Sequence, residues 1–207
     1  NKPRVQDIFR PGLARLTVRG SLLAGVALLG TWGAVQFIPA WVHTETHSVI
    51  QAAWTQIFMA VGAITIPLVV ALLAQKFDRR KAYMGLCVGS LLACLGLFVP
   101  NLSGGLTFGF AFLLMATLAN GITAGFYGWL PLYLPELFPT RVRATGAGFC
   151  FNIGRVLAAA GTLVSGELLA LFDKNYARMG AVICAIYLAG LAVIWISPET
   201  KGKPLPE

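Results

Sequence analysis

The chain is 207 residues long, 57% hydrophobic and only 12% charged, with a mean hydropathy of +0.74. A water-soluble domain carries about 25% charged residues, so this composition excludes a soluble globular fold and points to a chain embedded in a membrane. The formal net charge of +8 would suit a nucleic-acid partner, but the placement of that charge argues against one.

Apolar runs fall at about 17–42, 49–74, 82–100, 106–134, 144–172 and 179–197. Each is continuous and near the roughly 20 residues that a helix needs to cross hydrocarbon. None alternates as a barrel strand does, so six transmembrane helices and an all-α class are expected. Residues 1–19, with Lys2, Arg4, Arg10, Arg15 and Arg19, read as a basic cytoplasmic linker. A six-helix unit then fills 20–197, and 198–207 is a cytoplasmic tail.

The first run holds Trp32 and Gln36, spaced i, i+4 on one helix face. HTETHS at 43–48 follows as a short outer loop. Its two histidines lack the spacing of a metal site, and a solvated loop is expected. The second run contains Gln51 and Gln56, with Trp54 nearby; the third has only Tyr83 and Ser90 beside the thiols Cys87 and Cys94. The fourth carries Asn120 and Tyr127, with Trp129 nearby. The fifth carries Asn152, Arg155 and Glu167, while the sixth offers Tyr187 and a terminal Ser197. Amides and charges within a membrane must face protein or water. The first, second, fourth and fifth spans are therefore expected to form an interior, with the third and sixth outside as supports. Pro39, Pro67, Pro131 and Pro135 lie within or at the ends of spans, where each is expected to kink or end its helix.

Thirteen of the 16 basic residues fall before the first run, in the second and fourth connections and in the tail. Two, Lys174 and Arg178, fall on the opposite side, and one, Arg155, lies inside a run. This is the positive-inside pattern, and it puts both termini in the cytoplasm. The charge records insertion topology, and no nucleic-acid partner is implied.

Three cytoplasmic stretches bring a family into view: YLPELFPTRVRATGAG at 133–148, SPETKGKPLPE at 197–207 and ALLAQKFDRRKA at 71–82. Together they resemble the C-terminal half of a major facilitator superfamily transporter, in the branch of sugar porters and metabolite–proton symporters. The third stretch departs from the family's loop pattern, with Gln75 where an acidic residue and Asp78 where a glycine is expected. Six spans are half of that family's twelve, so a matching N-terminal half is the expected partner. The resemblance implies a plasma or inner membrane location and alternating access through a central site. It also implies ion pairs at the cytoplasmic gate among Glu136, Arg141, Arg143, Arg79, Arg80 and Glu199. Glu136 is expected to pair with Arg80 or Arg143, and Glu199 with Arg143.

Arg155 is the most informative residue. It stands 11 residues past Ala144, about 16 Å into the membrane at 1.5 Å per residue. A guanidinium at that depth costs about 2.5–3.5 kcal/mol on insertion scales, so it demands a wet cavity, a carboxylate or an anionic ligand. No acidic residue of this chain lies at the same depth. Asn152 sits at i−3, and a guanidinium fork beside an amide suits a carboxylate. Organic-anion symporters of the superfamily carry a Gly-Arg pair in this span, which Gly154-Arg155 resembles. The expected substrate-binding set is Arg155, Asn152, Gln36, Trp32, Asn120, Gln56 and Tyr127. No catalytic constellation, cofactor motif or phosphate-cradling loop is present in the sequence. The function expected is secondary active transport of a small polar metabolite, as proton-coupled symport of an organic anion. A sugar porter, or a non-transporting receptor on the same fold, is the alternative.

Overall fold

The computed structural model describes residues 4–103, 106–204 and 206. Small parts of the expected linker (1–3), third connection (104 and 105) and tail (205 and 207) therefore lie outside the described residues. The described residues are helical, with no strand among them. Helices α1 (Leu13–Gly33), α2 (Ile38–Thr46), α3 (Val49–Lys76), α4 (Arg79–Phe98) and α5 (Phe110–Ala124) lead into α6 (Phe126–Glu136), α7 (Arg143–Leu171), α8 (Tyr176–Cys184) and α9 (Ile186–Trp195). They compose six spans long and apolar enough to cross a membrane: Leu13–Thr46, Val49–Lys76, Arg79–Asn101, Phe110–Glu136, Arg143–Leu171 and Tyr176–Trp195. The protein is a multi-pass membrane protein.

Helix ends follow local chemistry. The Ser48 hydroxyl accepts from the Gln51 N–H and starts α3, and the Asn175 side chain accepts from the Arg178 N–H and starts α8. The first span begins at Leu13, inside the stretch read as linker. It also runs to Thr46, so His43 and Glu45 are helical and only His47, at φ 51°, leaves the helix. The expected outer loop is thus two residues, because nothing in 43–46 breaks a helix.

The prolines act unequally. The first span passes through a 3-10 turn at Val35–Phe37 just before Pro39, and the fourth breaks at Gly125, between α5 and α6. By contrast α3 continues through Pro67, and α6 contains both Pro131 and Pro135. Pro67 stands where α3 meets the fourth span closely: a Cβ on Gly128 would lie 2.6 Å from the Pro67 oxygen.

The core differs from the arrangement expected from polarity. Its largest fully buried side chains include Tyr83 of α4, Phe126, Trp129 and Tyr133 of α6, and Tyr187 of α9. Tyr83 and Trp129 have ring centroids 4.6 Å apart, Trp129 stacks on Tyr133 at 4.5 Å, and Phe126 stacks on Tyr187 at 5.8 Å. The third and sixth spans therefore help build the packed centre of this half, behind the four spans along which its clefts open. In the most apolar windows of the second and fifth spans only 17% of residues are buried, against 72% in the first. The second packs on the fourth and the fifth on the first, each leaving a large apolar flank open, such as Ile57, Val61, Ile64, Leu68 and Leu72 of α3. Polarity identified faces that open onto space. Bulk and aromatic area set the packed centre, and these need no polar residue.

Candidate functional site

Two open clefts lie side by side along the first, second, fourth and fifth spans. The first, of about 500 Å³, is bounded by α1, α6 and α7 and lined by Leu28, Trp32, Tyr127, Phe151, Arg155 and Thr162, with Ala158 and Ala159. The second, of about 600 Å³, lies between α3 and the first and fourth spans; its polar lining is Thr31, Gln36, Gln56 and Asn120. Trp32 and Tyr127 belong to both walls. The indole Nε1–H of Trp32 donates to the Tyr127 hydroxyl oxygen at 2.9 Å, bridging the first and fourth spans.

Close helix approach positions Arg155. Gly154, its neighbour, presses α7 onto α1: a Cβ there would lie 2.8 Å from Ala24 Cβ and 2.9 Å from the Ala24 carbonyl carbon. The adjacent guanidinium emerges at the edge of that contact into the first cleft, exposed, with no hydrogen bond or ion pair among the described residues. Asn152, expected beside it, is elsewhere. Its Nδ2 donates to the Gly148 carbonyl of its own helix at 2.8 Å, and it lines neither cleft. The i−3 spacing was real, but an amide on a helix satisfies itself on the preceding turn more cheaply than across a cavity. Asn120 also has a structural bond, its Nδ2 donating to the Met59 carbonyl of α3 at 2.8 Å. Gln36 and Gln56 are exposed on the wall of the second cleft.

At the end of the bundle that carries both termini the charged residues are brought together, but with partners other than those expected. Glu136 pairs with Arg79: its Oε1 lies 2.7 Å from Nη2, and its Oε2 accepts from Nε at 3.0 Å. Thr200 of the tail donates its hydroxyl to the same carboxylate at 2.6 Å. Glu199 forms no ion pair with Arg143. It caps the start of α4, accepting from the backbone N–H groups of Arg79 and Arg80 at 3.0 Å each, and from those of Thr200 and Lys201 at 3.0 Å. Burial pushes its acidity towards the neutral form, but the backbone donors outweigh that and hold the carboxyl below its usual 4.5. Arg80 donates to the Trp195 carbonyl and lies 5.5 Å from the Trp195 ring centroid. Arg143 donates to the carbonyls of Phe138 and Pro206, both at 3.3 Å. Arg141 pairs with Asp7, 2.9 Å away in the N-terminal 3-10 turn, a carboxylate outside the expected gate set. The reason is geometric. A helix start offers unpaired N–H groups that bind a carboxylate in a fixed place, so Glu199 is spent on backbone, leaving the arginines to other acceptors.

Two hydrogen bonds tie this charged cluster to the aromatic core: Trp129 Nε1 donates to the Arg79 carbonyl at 2.9 Å, and the Tyr133 hydroxyl donates to the Pro198 carbonyl at 2.7 Å. Their donors were not among the expected site residues. The signal available in sequence was their spacing on α6 with Glu136, which puts Trp129, Tyr133 and Glu136 along one face.

An all-helical membrane unit with six spans, with polar residues lining open clefts and most of its charges gathered at one end, has the architecture of one half of a major facilitator superfamily transporter. The family model for sugar (and other) transporters matches residues 13–207, and the chain belongs to that family. It is 38% identical over 161 residues to the inner membrane metabolite transport protein YhjE of Escherichia coli (strain K12), covering 75% of this chain and 34% of the relative. It is 29% identical over 206 residues to the 3-(3-hydroxy-phenyl)propionate transporter of the same organism, covering 98% and 49%. A mouse protein, solute carrier family 22 member 27, is 27% identical over 212 residues, covering 100% and 35%. The chain thus spans about a third to a half of the length of these curated relatives.

Proposed function

We propose that this six-span unit works with a second six-span half as a secondary active transporter, carrying a small organic anion across the plasma or inner membrane by alternating access. In this reading protons drive the uptake, and both termini face the cytoplasm. The observation that carries it is Arg155: a permanent cation on a transmembrane helix, facing a cleft whose other lining is apolar, aromatic or hydroxyl, with no carboxylate beside it among the described residues. A carboxylate ligand would supply the missing charge through a two-point fork. The relative named for a propionate supports the same class. The sugar-porter reading draws on the neutral amides Gln36, Gln56 and Asn120 in the second cleft and on the family's description.

Counterflow in proteoliposomes made with the full-length protein tests the proposal. Arg155→Lys keeps the charge but loses the fork, and is expected to lower kcat/KM for an acid about 10-fold or more. Normal acid transport by that variant would defeat the anion reading, and sugar counterflow that is indifferent to it would favour the porter. Ligand binding with no counterflow would identify a receptor. Uptake that survives collapse of the pH gradient would remove the proton coupling.

A further inference from the structure

The two clefts differ in kind. Among the described residues, Arg155 is the one charged residue on the wall of the first, whereas every polar residue on the wall of the second is neutral. The hydrogen-bonded Trp32–Tyr127 pair stands between them and faces both. Because Trp32 donates and the Tyr127 oxygen accepts, the phenolic hydrogen of Tyr127 remains available to an acceptor. A phenol whose oxygen already accepts a bond is a better donor, and it lies on the wall that Arg155 shares.

We propose that the site recognises two-ended acids: one carboxylate, held by Arg155 and the Tyr127 hydroxyl, and at the far end a neutral hydrogen-bonding group, held by Gln36 and Gln56 across the Trp32–Tyr127 divider. This rests on the reading of Arg155 as the anion contact. Other ligand types fit less well. A sugar would satisfy the amides and leave the guanidinium without its anion. A dicarboxylate would place its second charge among neutral amides. A purely apolar acid lying over Gln36 and Gln56, which are exposed in the empty cleft, would displace their water without replacing its hydrogen bonds. The middle of the ligand lies against the aromatic faces of Trp32 and Tyr127, so a flat or apolar spacer is favoured.

Binding to the full-length protein, measured with 3-phenylpropionate, its ring-hydroxylated analogue 3-(3-hydroxyphenyl)propionate and the uncharged 3-phenylpropanol, separates the parts. The hydroxylated acid should bind about 3- to 10-fold more tightly than the plain acid, the worth of one neutral hydrogen bond. Gln56→Leu, or Gln36→Leu on a different helix should the first fail to fold, should bring that ratio towards one. Arg155→Gln should weaken both acids and leave the ratio as it was. A ratio unmoved by both glutamine variants, with both acids still sensitive to Arg155→Gln, overturns the two-ended site and spares the anion reading. Indifference of both acids to Arg155→Gln, or tight binding of 3-phenylpropanol, overturns the anion reading and this proposal with it.

Discussion

Replacing Glu136 with Gln tests the charge cluster beside the termini at its centre. In the wild type, the carboxylate meets Arg79 twice, at 2.7 and 3.0 Å, and Thr200 at 2.6 Å. Both side chains of the ion pair are mostly covered, at 12% and 18% exposure. A hydrogen bond to a charged group contributes about 1.5–3 kcal/mol, and removing one partner leaves the other charge dehydrated. Glutamine keeps one acceptor oxygen, so the net loss should be about 2–3 kcal/mol. For a unit of this size that is a fall in Tm of about 4–12 °C, read by thermal unfolding of the purified full-length protein in detergent. Arg79→Gln should cost a similar amount, and the double variant should cost less than the sum, because the two changes remove one shared interaction. Arg80→Gln serves as the contrast. Among the described residues its side chain bonds a backbone carbonyl and lies against the face of Trp195, so its effect should stay near 1 kcal/mol or below. A Glu136→Gln protein that melts within about 1 °C of wild type, or an Arg80→Gln protein that melts lower than it, would refute the partner assignment.

Two glycines of the fifth span should respond oppositely to alanine. A methyl at Gly154 meets backbone of α1 at 2.9 Å, so Gly154→Ala should destabilise by about 1–3 kcal/mol and weaken ligand binding at the neighbouring Arg155. Gly148 has nothing within 4 Å, so Gly148→Ala should be neutral or stabilise by up to about 1 kcal/mol, which thermal unfolding would show. Glu199 should give the tail a pH dependence. Its carboxyl is held below 4.5 when docked, so docking is at full strength above that pH and weakens as pH falls through the lowered value. Limited proteolysis of the tail should accelerate only on the acid side, and Glu199→Gln should remove that limb; acceleration at neutral or alkaline pH in the wild type would contradict the assignment.

The amino-acid sequence by itself determined the six-helix class and the approximate spans. Both depend on continuous runs of apolar residues, a property of chain segments that no distant contact can undo in hydrocarbon. It also marked Arg155 and the amides of the first, second and fourth spans, since a polar group in a membrane is costly wherever it points and therefore stands out in any register. What it could not decide was partnership. Only the packed helices show Asn152 turned back on its own carbonyl, Asn120 tied to Met59, and Glu199 capping α4 in place of an arginine. Only they show the Trp32–Tyr127 bond, made across 95 positions of sequence. A hydrogen bond is decided by positions to within about half an ångström and by which competing donor lies in better geometry. Those positions follow from how closely whole helices approach, which Gly154, Gly128 and the buried rings of α4, α6 and α9 set together.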